Sequence, residues 1–369
     1  MRMREDTHSP EPIGRVWVSA EVREELEEIL WLLGKSGRRF SEILVDAPRA
    51  VVDTMAGFDT SFVPGPVSLR PYSHSTRSGI TAKLRSLGSF SWRVLMARPV
   101  LIFSGFSMMK HRVVGWALRI PHVEYLRGVV FDSGLSSGIS DRLRFGRLGG
   151  VIPRRIVMTY GADHVFTVGR INKDFLEQRG LPAAVVDVTG PVWLDPALVP
   201  GSGDQADDDS GTAYFVTTAW EAHGHTDEHL SQLEITRSLG ASWGGPERLG
   251  FRIHPRDRHP YEDDEAFRGT LIDRSAPMVF LAGLGPRDLL ITPLSTLAFE
   301  ALRLRKRVVF YSDQSATAAY NHVYERLGIV PTTIDAVLAG DHKHVAELPA
   351  GVFDEIDYAP VRDFFRTLD

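Results

Sequence analysis

The sequence predicts an α/β protein made of two doubly wound domains that face each other across a cleft. Apolar runs ending in small residues alternate with helical segments, which is typical of parallel strands covered by helices. The alternation stops at the polar stretch PGSGDQADDDSG and then starts again. A chain of 369 residues is long enough for two domains. We expect an N-terminal domain over residues 1–199, a linker over 200–211 and a C-terminal domain over 212–369. The last helix, around residues 361–368, is a candidate to return to the N-terminal domain.

In the first half, the alternation assigns strands to six apolar runs. They are RVWVSA (15–20), EILVDA (42–47), PVLIFSG (99–105), IPHVEYLRG (120–128), ADHVFTVG (162–169) and AVVDVTG (184–190). Residues 21–33 place their apolar side chains on one helical face, and a second helical stretch follows PVLIFSG. The Pro- and Ser-rich stretch before PVLIFSG is expected to be a loop.

In the second half, the same pattern restarts directly after the linker. Strands are predicted at TAYFVTTA (212–219), LGFRIHP (249–255) and RVVFYSD (307–313), and helices at residues 228–240 and TLAFEALRLRK (296–306). The apolar runs MVFLAG (278–283) and DLLITP (288–293) lie between them.

Composition and charge narrow the possible functions. The absence of cysteine excludes disulfides, thiolate metal sites and a cysteine nucleophile, and it fits a cytoplasmic protein. The N-terminus is too polar for a signal peptide. The formal net charge is −5, yet residues 66–170 hold 16 Lys or Arg and only four acidic residues.

This basic segment indicates an anionic partner, although it could equally be a solvated face. A glycan or lipid-linked acceptor fits, as does peripheral contact with the inner membrane surface. No nucleic-acid partner is predicted. We expect Arg77, Lys83, Arg85 and Arg93 to lie in or beside a mobile Ser- and Gly-rich loop that grips the partner.

A metal site is not predicted. The acidic runs DDD (207–209) and EDDE (262–265) fall in the linker and in a Pro-bracketed loop, not at strand ends. His223, His225 and His229 form a cluster by count only, and their position after a strand suits donor or solvent contact equally well.

The stretch FRIHPRD places His254 directly before a proline at the end of a predicted strand. The proline restricts the backbone of His254, so its imidazole is held in place. His254, with Arg252 or Arg256, is therefore a candidate to receive a phosphate; the alternative is a histidine that only ends the strand.

A second anion site is predicted about 40 residues later, in DLLITPLSTLAFEAL. Ser295 and Thr296 lie in the first turn of a helix, where backbone N–H groups and the helix dipole favour an anion. They could also merely cap the helix; Thr292, followed by Pro293 in the first turn, and Ser295 are the two candidate N-caps. Glu300 is one turn further in and is a candidate for the ribose hydroxyls. Ligands of open α/β sheets bind beyond the carboxyl ends of the strands, so these residues should converge with His254.

The pattern His254-Pro255, Ser295-Thr296 and RVVFYSD resembles the two-domain glycosyltransferases called GT-B, whose domains are Rossmann-like. Within them it is similar to the bacterial surface-polysaccharide branch: polysialyltransferases, capsule Kdo transferases and CDP-glycerol glycerophosphotransferases. Residues 165–195 are similar to the segment before the interdomain crossing of such enzymes. The resemblance covers about residues 100–315 and is one of pattern.

The resemblance implies a metal-independent transferase that needs no cofactor besides its CMP- or UDP-linked donor. Thr217 and Thr218 then match a donor loop. Inverting members carry a general base in the first domain, either an acidic residue in an Asp/Glu-Asp/Glu-Gly motif or a His before Gly. The corresponding stretch EYLRGVVFDSG has Arg127 before Gly128 and no acidic pair. Asp132 or Glu124 is a candidate base, and Arg127 is a candidate charge clamp.

The sequence thus predicts a glycosyltransferase of polysaccharide biosynthesis at the cell envelope. Two other functions remain open: glycerophosphate transfer from CDP-glycerol, and sugar-nucleotide 2-epimerisation on the same architecture. An epimerase needs no acceptor, whereas both transferases do.

Overall fold

The computed structural model describes residues 11–55, 57–72, 80–105, 109–130, 161–198, 211–220, 226–243, 248–312, 321–345 and 347–368. The chain forms two compact units. Of the described residues, unit 1 contains those between 11 and 195 together with 354–368, and unit 2 contains those between 196 and 353.

Unit 1 is built on a parallel sheet of seven described strands in the order β3-β2-β1-β4-β5-β6-β7. The strands are β1 (Ile13–Ser19), β2 (Phe40–Pro48), β3 (Val67–Tyr72), β4 (Leu101–Ser104), β5 (His122–Leu126), β6 (His164–Thr167) and β7 (Val186–Val188). The helices are α1 (Arg23–Lys35), α2 (Arg49–Thr54), α3 (Ile80–Ala97), α4 (Met109–Leu118) and α5 (Arg170–Gln178), with short 3₁₀ turns at Ala183–Val185 and Val192–Leu194.

Unit 2 repeats the design on a parallel sheet of six described strands, in the order β10-β9-β8-β11-β12-β13. The strands are β8 (Thr212–Val216), β9 (Arg248–Arg252), β10 (Leu271–Asp273), β11 (Leu289–Thr292), β12 (Arg307–Ser312) and β13 (Thr332–Thr333). The helices are α6 (Thr226–Ser242), α7 (Pro277–Gly283), α8 (Thr296–Arg303), α9 (Asn321–Leu327) and α10 (Ile334–Leu338), with 3₁₀ turns at Tyr261–Asp263 and Glu265–Phe267.

The predicted fold class is confirmed, because the two halves carry two separate parallel sheets. In each sheet the first strand is central, the next two extend to one side, and the fourth lies on the other side. This is the Rossmann strand order, and the crevice between its first and fourth strands is where such sheets bind ligands. The unbroken apolar runs of the sequence correspond to buried strands: every residue of β4 and β5 is buried.

Two segments before β4 differ from the predicted loop. Residues 67–72 form the edge strand β3, which pairs with β2. Lys83, Arg85 and Arg93 lie in helix α3, so the predicted loop at these three positions is wrong; Arg77 lies outside the described residues. The physical reason is the apolar spacing of Leu87, Phe90, Val94 and Ala97, which packs one face of α3 against Trp17 and Ile102.

The chain returns to unit 1 at its end, in helix α11 (Ala359–Arg366). Tyr358 precedes this helix and donates a hydrogen bond to Asp195 Oδ2 at 2.5 Å, and it accepts one from Trp31 Nε1 at 2.8 Å. Phe365 is buried against Phe40 and Phe103. These contacts fix the last helix to strands and helices of the N-terminal half.

Within the described residues, no helix combines the length and the apolar character needed to cross a bilayer.

Candidate functional site

In unit 2, the strand order brings the predicted site residues to one edge of the sheet. Strands β9 and β11 flank β8, so their carboxyl ends are separated by two strand spacings, about 10 Å. His254 follows β9, Thr217 follows β8, and Ser295 follows β11. The three predicted stretches therefore meet beside the crevice where a Rossmann-type sheet binds its ligand.

His254 is positioned by its backbone. Its amide donates to Thr217 Oγ1 at 2.9 Å, and the Thr217 amide donates to the Arg252 carbonyl at 3.0 Å. The side chain is half-buried, and its Nδ1 accepts a hydrogen bond from the Arg256 amide at 3.1 Å. An Nδ1 that accepts is unprotonated, so the neutral ring carries its proton on Nε2. His254 can thus donate a hydrogen bond from Nε2 to an anion.

The start of helix α8 has the geometry of an anion site. Ser295 is its N-cap, and the Ser295 hydroxyl accepts from the Ala298 amide at 3.2 Å and lies 3.1 Å from Thr292 Oγ1. Thr296 is the first helical residue. The predicted alternative of a cap at Thr292 is not adopted. Backbone amides at a helix start have no acceptor within the helix, and the dipole adds positive charge there.

Glu300 lies one turn inside α8, and its side chain is buried. A carboxylate near the N-terminus of a helix is stabilised by the dipole. Contact between Glu300 and a ribose stays a prediction.

Arg252 has a structural position. Its side chain is 2% exposed and donates to the carbonyls of Ile253 and Asp273 at 3.0 and 3.2 Å, and to that of Ser275. The guanidinium also lies over the Phe280 ring. Burial lowers the pKa of Arg252, with Asp273 opposing the effect. The neighbouring Arg256 is exposed and has the better access to a ligand.

A buried polar network that sequence reasoning missed supports the loop after β8. The Gln232 side chain accepts from the Thr218 amide at 2.6 Å and donates to the Thr218 carbonyl at 3.1 Å. Asp257 accepts from the Tyr261 hydroxyl at 2.9 Å and lies 3.5 Å from Gln232 Nε2. Because every member is buried and bonded, the network holds the loops after β8 and β9 together.

Thr217 offers a test of how His254 is held. In Thr217→Val, the buried amide of His254 loses its acceptor, which costs about 1–3 kcal/mol and releases the imidazole. We expect lower stability and weaker nucleotide binding, measured by urea unfolding and by the nucleotide-induced shift in melting temperature. Thr217→Ser keeps the hydroxyl and is the matched control. Equal binding by the valine and serine variants would contradict this role of Thr217.

Unit 1 carries its own polar cluster at the carboxyl edge of its sheet. The Glu21 carboxylate accepts from the Tyr72 hydroxyl at 2.7 Å and lies 3.9 Å from Lys110 Nζ. Asp46 forms an ion pair with Arg93, whose guanidinium lies over the Tyr72 ring. These residues follow or end β1, β2 and β3, or lie on the helices that cover them.

The electrostatics of this cluster suit proton transfer. Burial raises the pKa of Asp46 to about 6, although Arg93 and Lys110 act in the opposite direction. Burial also lowers the pKa of Lys110, with Glu21 opposing it. A carboxyl group that titrates near neutral pH can both accept and donate a proton under physiological conditions.

The other first-half candidates have different surroundings. Arg127 forms an ion pair with Glu28 at 2.7 Å, and its guanidinium lies over the Trp193 ring. Glu28 and Trp193 both belong to unit 1. Glu124 is fully buried in β5. Asp132 lies outside the described residues, as do His223 and His225.

The described histidines of the second half are not arranged to bind a metal ion. His229 is buried, with its ring 6.1 Å from that of His259. In the part of the chain that the structure describes, no group of three or more His, Asp or Glu side chains is arranged to hold a metal ion. Asn321 and His322 are exposed at the start of α9, and Asn321 bonds to Ser312.

Beneath the unit 1 cluster lie two buried histidines. His122 Nε2 is 2.8 Å from Ser104 Oγ, and the His111 ring packs against Phe90 and His122. Burial lowers the pKa of His122 to about 3 and that of His111 well below its ordinary value. Both rings are therefore neutral in the folded state.

These histidines predict a loss of stability in acid. Below about pH 6.5 the unfolded chain protonates both rings and the folded chain does not, so each contributes a loss of about 1.4 kcal/mol per pH unit. Asp46 acts oppositely between its unfolded pKa of 3.8 and about 6, because the folded state holds the extra proton. The two histidines lower the free energy of unfolding as the pH falls, and Asp46 offsets one of them. The net loss therefore corresponds to one proton.

His111→Leu checks this expectation, since it removes one titrating ring at similar volume. Urea unfolding at about pH 7, 6 and 5 should show the slope of unfolding free energy against pH reduced by about 1.4 kcal/mol per unit. An unchanged slope would mean that His111 is protonated in the folded state.

Comparison with solved structures gives full-length matches. A structure of S. aureus MnaA with UDP has a TM-score of 0.64 at 14% identity, over 97% of this chain and 98% of that one. A Methanocaldococcus jannaschii UDP-GlcNAc 2-epimerase in complex with UDP-GlcNAc and UDP has a TM-score of 0.62 at 15% identity, over 96% and 99%. The glycotransferase of kitacinnamycin has a TM-score of 0.52 at 14% identity, over 97% and 96%.

The chain has the GT-B fold. The structural neighbours include both epimerases and glycosyltransferases, and the GT-B-like fold predicted from the sequence is confirmed. At 11–15% identity the likeness concerns the fold alone. No family model matches the sequence, and no curated protein is significantly similar to it.

Proposed function

We propose that this GT-B chain is an enzyme that binds a UDP-linked sugar through unit 2 and epimerises that sugar. The observation that carries the proposal is the convergence of Thr217, His254 and Ser295 at the crevice of the unit 2 sheet. A neutral imidazole that donates from Nε2 and a helix start with a hydroxyl cap are suited to a diphosphate. Neighbours with this fold were solved with UDP and UDP-GlcNAc bound.

In this proposal, His254 and the first turn of α8, with Ser295 and Thr296, contact the phosphates. Glu300 contacts the ribose, and Arg256 adds charge at the phosphate side. Thr217, Thr218 and Arg252 hold the loops that present these groups. The protein supplies electrostatic stabilisation of the nucleotide, whose negative charge grows if its bond to the sugar lengthens.

Epimerisation is favoured over transfer to an acceptor by two observations. The epimerase neighbours have TM-scores of 0.52 to 0.62, and most exceed those of the glycosyltransferase neighbours, 0.51 and 0.52. In addition, a change of configuration at a sugar carbon requires groups that remove a proton and return one. The unit 1 cluster contains a carboxylate and an amine, Glu21 and Lys110, beside the buried Asp46, whose pKa burial raises to about 6.

A glycosyltransferase is the second candidate. It is favoured by the glycosyltransferase neighbours and by the basic segment of residues 66–170, which suits an anionic acceptor. In that case the donor site of unit 2 is unchanged, and an acceptor hydroxyl is activated instead of a sugar carbon.

An incubation without any acceptor separates the two candidates. The purified chain is mixed with UDP-GlcNAc in D₂O, and the products are followed by proton NMR. An epimerase forms a second nucleotide sugar and incorporates deuterium at the inverted carbon. Consumption only after addition of a glycan or lipid-linked acceptor would establish the transferase, and parallel reactions with CMP-sugars and CDP-glycerol identify the donor. The proposal is wrong if neither UDP nor UDP-GlcNAc raises the melting temperature.

Variants in each unit test the division of roles. Glu21→Gln should abolish turnover and retain the UDP-induced rise in melting temperature, because Glu21 belongs to the unit 1 cluster. Glu27→Gln, in helix α1 shortly after Glu21 and paired with Arg23, is the matched control. Loss of UDP binding in Glu21→Gln would show that unit 1 does not act separately in proton transfer.

A further inference from the structure

Helices α3 and α4 expose an apolar face. Six large apolar side chains on and beside these helices are 40–63% exposed: Leu84, Trp92, Leu95, Met96, Val100 and Trp116. On α3 the exposed positions follow helical spacing and lie opposite the buried Phe90 and Val94. Single exposed apolar residues are ordinary on protein surfaces, but a stripe containing two tryptophans indicates a binding surface.

The exposed charges that are nearest in sequence to this α3–α4 face are basic. Arg98 directly follows α3, Arg119 directly follows α4, and Arg85 lies beside Leu84; all three are exposed. Residues 60–123 contain nine Lys or Arg and no Asp or Glu. The partner of the face therefore carries negative charge and accepts apolar side chains.

A second copy of the chain docked face to face meets these requirements less well than an anionic surface. A symmetric dimer places the same surface patch of both copies against itself. The arginines of one α3–α4 face would then meet those of the other with no carboxylate from residues 60–123 between them, and like charges repel.

We propose that the α3–α4 face docks on an anionic lipid surface. Tryptophan, leucine and methionine enter the boundary between headgroups and acyl chains, as the apolar face of an interfacial helix does. Arg85, Arg98 and Arg119 remain at the level of the lipid phosphates, where the negative surface potential attracts basic residues. The surface belongs to unit 1 and does not depend on which reaction the enzyme performs.

Vesicle flotation of the full-length protein tests the docking. Vesicles of phosphatidylcholine alone are compared with an equal mixture with phosphatidylglycerol. We expect partitioning onto the mixture to be about tenfold stronger or more, and to weaken as salt screens the arginines. Trp92→Ser/Met96→Ser should lower it by about tenfold or more, because two apolar side chains no longer leave water.

Two further double variants serve as controls. Leu230→Ser/Val330→Ser removes exposed apolar side chains from unit 2 and should leave partitioning unchanged. Trp92→Phe/Trp116→Phe keeps the face apolar, so it should still bind vesicles but lose the fluorescence quenching by brominated lipid that the native chain shows. Soluble turnover of nucleotide sugar should be equal in all these variants.

Several outcomes would overturn the proposal. Equal partitioning on both vesicle types, or an undiminished effect in Trp92→Ser/Met96→Ser, excludes the face as an anionic-lipid surface. A lipid-free dimer that Trp92→Ser/Met96→Ser dissociates would assign the face to a second copy. Retention on an acidic polysaccharide without vesicle binding would assign the charge to a glycan.

Discussion

Replacing His254 with alanine should lower nucleotide-sugar turnover by about 100-fold or more and leave the fold intact. The loss is that of one preorganised hydrogen-bond donor to developing negative charge. The fold should survive because the bond from His254 to Thr217 uses the backbone amide, which alanine retains. The half-buried imidazole contributes little to the core. Turnover of UDP-GlcNAc and the UDP-induced shift in melting temperature measure the two effects.

His344 provides the matched control for this experiment. It is an exposed histidine of the same unit, and its neighbour Val345 bridges to Val308 near the start of β12. His344 therefore lies at the amino edge of the sheet, opposite the edge that carries His254. His344→Ala should behave like the native protein. If His254→Ala retains both UDP binding and turnover, the anion site in unit 2 is misassigned.

The sequence was sufficient to locate most central strands and several helices along each half, because buried parallel strands and helix faces leave strong apolar patterns. LGFRIHP and DLLITP lie in β9 and β11 or extend just beyond them, and the cap at Ser295 was one of two alternatives considered. Elements with a weaker apolar pattern were not predicted. β3 is an edge strand with partly exposed residues, so its sequence VSLRPY lacks the apolar run of a central strand.

The site was predictable only in part, for a physical reason. Strand ends can be read from sequence, and the predicted residues after β8, β9 and β11 do converge. The partners of those residues depend on tertiary contacts between distant segments. The hydrogen bond from His254 to Thr217 spans 37 positions, and the ion pair of Asp46 with Arg93 spans 47. The apolar run MVFLAG forms helix α7. Pro277 occupies the first turn of this helix, where proline is favoured.

Arg252 and Arg256 show why a motif alone does not separate binding from structure. Both flank the His-Pro pair, and both carry a charge suited to phosphate. The structure buries Arg252 and leaves Arg256 exposed. A buried guanidinium bonded to three backbone carbonyls holds the ends of β9 and β10 and the loop before α7.

Arg252→Met should destabilise unit 2 by roughly 3 kcal/mol, because three carbonyl oxygens lose a charged donor at once and methionine offers none. Hydrogen–deuterium exchange of peptides covering residues 248–276 should become faster, and urea unfolding should begin at lower concentration. Arg256→Ala should change stability by less than about 0.5 kcal/mol, as exposed substitutions do, and should weaken UDP binding if Arg256 contacts phosphate. The two arginines lie four positions apart, so the pair compares equal charge in different surroundings. Native exchange rates in Arg252→Met would show that its buried bonds are dispensable.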